Sequence, residues 1–182
     1  MTTRSRATND SATDMKPKMP LPVLEQLHAD IDERVRLVRD GHPDWLCHMG
    51  CSGCCHRLAE IPKLTAAEWA CLRQGLIELP EEQRDQIIDE VKALNEQTSR
   101  PILCPMLNQA DGLCRVYPYR PVACRTYGYY VQRDKGLYCR EIEARVDAGV
   151  LDTVVWGNHD AVDRRLEQMG ETRELTEWFR EF

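Results

Sequence analysis

The decamer CHMGCSGCCH, residues 47–56, sets Cys47, Cys51, Cys54 and Cys55 within nine positions, with Gly50 and Gly53 between them to permit tight turns. Four sulfurs on so short a backbone predict ligation of an ion or cluster. Soft thiolates select zinc, cuprous copper or iron-sulfur clusters over magnesium and calcium. The chain carries nine cysteines in all. An odd number cannot pair completely, and adjacent Cys54 and Cys55 would join only in a strained ring. The opening MTTRSRATND lacks the apolar middle of a secretory signal, so the chain is expected to be cytoplasmic, where thiols stay reduced and metal or redox roles outweigh disulfides.

Cys71 falls within a helical pattern and is expected to be a small buried hydrophobe. Setting it aside leaves Cys47, Cys51, Cys54, Cys55, Cys104, Cys114, Cys124 and Cys139, arithmetically two sets of four, which the sequence does not partition. In an extended segment neighbouring side chains point to opposite sides, so Cys54 and Cys55 are expected to serve two centres, or to divide between ligation and packing. Structural zinc usually enters through paired CxxC knuckles, and only one such unit, Cys51 to Cys54, is present. Iron-sulfur clusters accept irregular spacings, which favours them over zinc here. Arg57, Arg115, Arg125 and Arg140 closely follow cysteines and are expected to offset the charge of a thiolate centre. Arg120 is expected to brace its turn or to receive an anionic group, and Arg120 and Arg125 are the candidate cofactor contacts. His48 and His56 flank the decamer as substitute ligands.

The 182 residues, 42% hydrophobic and 30% charged, fit one soluble domain, and a formal charge of -6 argues against nonspecific binding of nucleic acid or anionic membranes. No apolar run is long enough to span a bilayer, and no P-loop, dinucleotide fingerprint or HExxH motif occurs. Residues 1–20 read as a mobile tail and residues 21–182 as a single domain. Leu24, Leu27, Ile31, Val35 and Val38 mark a helix ending near Gly41. Thr65 and Glu68 form a capping box for a second, and Pro80 opens a third with Ile87, Ile88, Val91 and Leu94 inward. Asp111-Gly112 signals a hairpin between Cys104 and Cys114, and a helix is expected from Cys139 through Val146. Asp160 is a candidate N-cap with a surface His159 before it, and Leu175, Trp178, Phe179 and Phe182 form a final stripe. The fold class is mainly α with a small β-hairpin and an irregular cysteine-rich centre organised by metal.

The order Cys47-x3-Cys51-x2-Cys54-Cys55, Cys104, Cys114-Arg-Val-Tyr-x2-Arg-Pro-x2-Cys124-Arg and Cys139 resembles the YkgJ-like cysteine-cluster family of zinc- or iron-chelating domains, over about residues 47–145. The resemblance implies metal chelation, and the family's relation to flagellin lysine methylases implies an iron-sulfur centre, although this chain is too short for that whole activity. The x3, x2 spacing also matches the three-cysteine loop of radical S-adenosylmethionine enzymes, but the alternating strands and helices of that fold do not follow. The expected function is a metal-binding protein whose iron-sulfur or other iron centre supports a redox or group-transfer reaction. Two alternatives stand beside it: a zinc-stapled module for a protein partner, and a metal-free thiol redox sensor. The expected partner is an unidentified protein or small molecule.

Overall fold

The computed structural model describes residues 21–182, so the expected tail over residues 1–20 lies outside the described residues. Helix α1 (Leu21–Gly41) turns Leu24, Leu27 and Ile31 inward, each 1% exposed. Each such burial is worth about 1.5–3 kcal/mol, enough to anchor a helix whose opposite face is charged. After the cysteine loop, strand β1 (Lys63–Thr65) runs directly into α2 (Ala66–Glu78). The Thr65 hydroxyl accepts from the Glu68 amide while the Glu68 carboxylate accepts from the Thr65 amide, the expected capping box. Helix α3 (Glu81–Ala93) starts after Pro80 with Glu81 and Glu82 in its first turn, where the helix dipole favours them, and buries Ile87 and Val91.

The expected hairpin forms from β2 (Leu107–Asn108) and β3 (Leu113–Cys114), with Leu107 opposite Cys114. A 3-10 turn over Tyr117–Tyr119 and the short α4 (Val122–Thr126) follow. Then come β4 (Tyr130–Gln132), β5 (Lys135–Leu137), α5 (Arg140–Asp147), β6 (Gly157–Asn158) and α6 (His159–Leu166). The chain closes with β7 (Thr172–Glu174), α7 (Leu175–Trp178) and a 3-10 turn over Phe179–Glu181. Two pairings go beyond the sequence expectation: β1 lies antiparallel to β7, and β4 pairs with β5 on one side and in parallel with β6 on the other. Strands of two or three residues carry too few alternating positions to display a period of two.

Two helix-start expectations are corrected. Asn158 caps α6 by accepting from the Ala161 amide at 3.2 Å, whereas Asp160 accepts from the Arg133 amide and holds the β4–β5 turn. His159 is not a surface residue. It is buried, edge-on to Tyr130, with Nδ1 3.1 Å from the Asp163 carboxylate.

The apolar side chains gather into two cores. The first joins α1 to Trp45, Val122, Tyr129, Tyr130, Ile142 and Met169. The second joins Trp69, Leu72 and Leu76 of α2 to Ile87, Val91, Met106, Val116, Leu175 and Trp178, with Trp69 stacked on Trp178. Helix α2 serves both, since its Ala67 packs into the first core. The buried Glu68 carboxylate also accepts from the Val122 amide at 3.0 Å, which ties the start of α2 to the start of α4. Replacing it leaves the Thr65 and Val122 amides without partners in a dry setting. Glu68→Ala is therefore expected to lower stability by about 2 kcal/mol in urea denaturation, against a near-neutral effect for the exposed Glu82→Ala.

Candidate metal centre

The decamer folds as successive turns. The Cys51 amide donates to the His48 carbonyl at 3.0 Å, that of His56 to Ser52 at 3.1 Å, and that of Arg57 to Cys54 at 3.1 Å. Gly50 sits at φ +92°, a left-handed conformation that its missing Cβ permits. This tight path corrects the expectation that adjacent cysteines diverge: Cys54 Sγ and Cys55 Sγ stand 4.0 Å apart. Sulfurs placed 2.3 Å from a tetrahedral ion are about 3.8 Å from one another, so this separation suits ligation. None of the nine cysteines is in a disulfide.

Other segments bring further sulfurs to the loop. Cys47 packs on the backbone of Gly128, where an added Cβ would stand 2.9 Å from Cys47 Sγ, and its thiol donates to the Tyr127 carbonyl at 3.7 Å. The Gly128 amide donates to the Leu137 carbonyl at 2.6 Å, which holds the end of β5 beside it, and Cys139 follows at the N-cap of α5. The Tyr129 hydroxyl donates to the Cys47 carbonyl. On the other flank the Cys104 amide donates to the Cys55 carbonyl at 2.7 Å, and the Leu107 amide to the Cys104 carbonyl at 3.1 Å, which sets Cys104 near the β2–β3 hairpin and Cys114. Cys51 and Cys124 are exposed and the remaining cysteines half-buried. Cys71 lies apart in α2, half-buried where a buried hydrophobe is expected, and packs against the first core. Among the described residues no group of three or more His, Cys, Asp or Glu side chains is closed tightly enough to form a ready metal site. The donor chemistry fits a soft metal; the sulfurs surround the loop without being drawn onto one point.

Crowded, half-dry thiols resist ionisation. Burial pushes the Cys47 thiol up to about 12, with the neighbouring Cys51 and Cys54 adding to the shift. Contact with Cys104 pushes Cys55 up to about 12, and contact with Cys55 raises Cys54. Burial raises Cys114 and Cys139, and backbone amides of Val116, and of Ile142 and Glu141 respectively, partly oppose it. Cys124 combines an exposed surface with a thiol raised chiefly by desolvation; exposure governs its access to reagents, and crowding the cost of charging it. Burial also pushes the Tyr127 phenol up to about 12, with the nearby Cys139, Cys54 and Cys47 adding to the shift. Burial and neighbouring sulfurs thus raise the cost of ionising Cys47, Cys54, Cys55, Cys114, Cys124 and Cys139, a cost that metal ligation offsets.

The arginines depart from their expected roles. Arg115 turns its buried side chain toward Glu90, 3.8 Å away, and Arg125 spends its nitrogens on Asp32 and on the Arg120 and Pro118 carbonyls. Arg125 thereby braces the 117–125 turn against α1. Arg57 and Arg140 act on the Glu141 carboxyl. Arg120 lies 3.9 Å over the Tyr117 ring and donates to the Tyr117 carbonyl at 2.9 Å, and its charge eases the ionisation of Cys114 and Cys124. His28, at the α1 side of this brace, is half-buried with Nε2 unpartnered, and burial with the Arg125 charge lowers its pKa to about 4. The sequence offered no sign of the Tyr127-Gly128-Tyr129 support, because it is made by backbone and hydroxyl contacts to a residue 80 positions away.

Two shallow clefts, about 320 and 230 Å³, run along α1 and contain no cysteine. Among the described residues no helix is long and apolar enough to cross a membrane. Thiols from several segments set around a tight cysteine loop give this protein the character of a cysteine-cluster domain. The chain belongs to the CxxCxxCC family, described as "Putative zinc- or iron-chelating domain", which matches residues 46–145, more than half of the sequence. This is the YkgJ-like domain that the cysteine order resembles. No curated protein and no solved structure matches the chain.

Gly128 has φ +89° and no room for a side chain beside Cys47. Gly128→Ala is expected to cost about 1–2 kcal/mol in backbone strain and to displace Cys47, measured as a lower urea midpoint together with faster alkylation of Cys47. Gly53→Ala, where a Cβ meets nothing within 4 Å, is expected to change neither.

Proposed function

We propose that this protein is a cytoplasmic iron-binding protein that holds an iron-sulfur centre through Cys47, Cys51, Cys54, Cys55, Cys104, Cys114, Cys124 and Cys139. The coarser statement, a zinc- or iron-chelating domain, follows from its family. The observation that carries the finer one is the make-up of the site: free thiols from separate segments, at irregular spacing, lie around the decamer. Iron-sulfur clusters tolerate that irregularity, and their potentials respond to charge and hydrogen bonds at sulfur, which is what Arg120 and the amides of Val116 and Ile142 are placed to supply. Such a centre, when bound, supplies one-electron chemistry or anchors a group-transfer reaction. The chain's own residues supply the rest: Cys47 is steadied by Gly128 and Tyr129, and the turn carrying Cys124 is fixed by Arg125.

One distance favours zinc as the second reading. The 4.0 Å separation of Cys54 and Cys55 is near the sulfur-sulfur edge of a tetrahedral zinc site. In that case the metal closes two small cores upon each other, and the protein is a stapled module for a protein partner.

Anaerobic purification followed by elemental analysis and absorption spectroscopy decides between them. The iron reading predicts a brown protein with iron and acid-labile sulfide; colourless protein containing only zinc supports the second reading, and metal-free protein contradicts both. Cys54→Ser is expected to reduce bound metal, whereas Cys71→Ser is expected to retain it in full.

A further inference from the structure

Helix α1 carries a guanidinium that the fold leaves without a carboxylate. Arg36 is held by Glu33 at 2.7 Å and by Asp40 at 2.5 Å. Arg34 is half-buried, and among the described residues its side chain makes one bond, from Nη1 to the Val155 carbonyl at a long 3.5 Å. Asp30, one turn earlier, is already taken: its carboxylate accepts from Arg165 of α6 at 2.6 Å and from Gln26 at 2.8 Å. A partly desolvated guanidinium gains most from a planar carboxylate that accepts two of its N–H groups.

Arg34 also stands where the two clefts along α1 meet, since it lines both. On one side of it, the 320 Å³ cleft sets Leu37 and Val38 against Val154 and Val155, with Leu37 51% and Val155 68% exposed. On the other side, the 230 Å³ cleft is lined by Leu27, Ile31, Tyr130 and Val162. From Leu27 to Gly41 the lining of α1 runs about 21 Å. That length takes about six residues of extended chain. The groove is apolar toward both ends and cationic in the middle, on a chain of net charge -6.

We propose that this groove docks an extended segment of a partner protein, which lays an Asp or Glu carboxylate on Arg34 between aliphatic side chains. Charge complementarity selects the occupant. Arg165, which also lines the groove, is neutralised by Asp30, so the carboxylate belongs at Arg34. Clefts this shallow grip a chain at several points rather than enclose a small molecule. No cysteine lines either cleft, so docking goes beyond the metal-binding reading and does not depend on it.

The test uses the full chain, purified anaerobically, and an array of acetylated hexapeptides in which Leu, Val or Ser residues surround a central Asp, Asn or Lys. Peptides that combine Asp with Leu or Val are expected to bind, and Asn in place of Asp to weaken binding about tenfold, the worth of a charge-assisted bond. Arg34→Gln is expected to abolish the preference for Asp over Asn. Arg84→Gln, at a half-buried arginine of α3 outside both clefts, is expected to leave it unchanged. Val155→Asp supplies a carboxylate beside Arg34 from an exposed position and is expected to abolish the preference without disturbing a core, so it decides the matter if Arg34→Gln loses its helical circular dichroism. Leu37→Ser is expected to weaken Asp and Asn peptides alike. Binding no stronger than to the peptides flanked by Ser alone, an Asp preference that survives Arg34→Gln or Val155→Asp, or one lost equally in Arg84→Gln overturns the proposal. Dimerisation of the unaltered chain that Arg34→Gln abolishes also overturns it, since a second copy is then the occupant.

Discussion

The cost of placing unionised sulfur in crowded, partly dry surroundings governs this structure. Among the described residues, seven small strands and seven helices, several of them a single turn long, give each core little apolar area, and the chain spends the space between those cores on thiols that pack less well than hydrocarbon. Neighbouring thiols and burial raise the cost of deprotonating Cys47, Cys55 and Cys124 in the absence of a cation. A bound metal reverses that balance, because thiolate ligation exchanges protons for a charge that the sulfurs share, and the free energy of binding becomes free energy of folding.

Around that constraint the remaining contacts divide into those that hold sulfur directly and those that hold the segments carrying it. Gly128 and the Tyr127 carbonyl belong to the first kind, since they touch Cys47. Glu68 and Arg125 belong to the second. One buried carboxylate joins the starts of α2 and α4, and one buried guanidinium ties the 117–125 turn to Asp32 of α1. The turn bearing Cys124 and Arg120 is thus clamped from both sides, and Arg120 is held in place by stacking on Tyr117.

What the sequence reveals follows from how local the controlling interaction is. Helix α1 is legible because its buried residues recur at three and four, and α2 because Thr65 and Glu68 satisfy each other within one turn. The β2–β3 hairpin is legible from Asp111-Gly112, whose side chain and backbone close the turn. The β1–β7 pairing joins residues more than a hundred positions apart over three-residue strands, and no local pattern encodes it. At the site, residue type announces the donors, but direction does not follow from sequence. Arg115 and Arg125 each follow a cysteine and yet point to carboxylates, while the charge of Arg120, four residues before Cys124, acts on the Cys124 thiol. Cys54 and Cys55 likewise converge only because the backbone turns where an extended chain would separate them.

The central claim is that sulfur alone surrounds a metal in this protein. X-ray absorption at the iron and zinc edges of the anaerobically purified full chain tests it most directly. The account predicts a first shell made wholly of sulfur at about 2.3 Å, with no nitrogen or oxygen ligand. A first shell dominated by nitrogen or oxygen would contradict it.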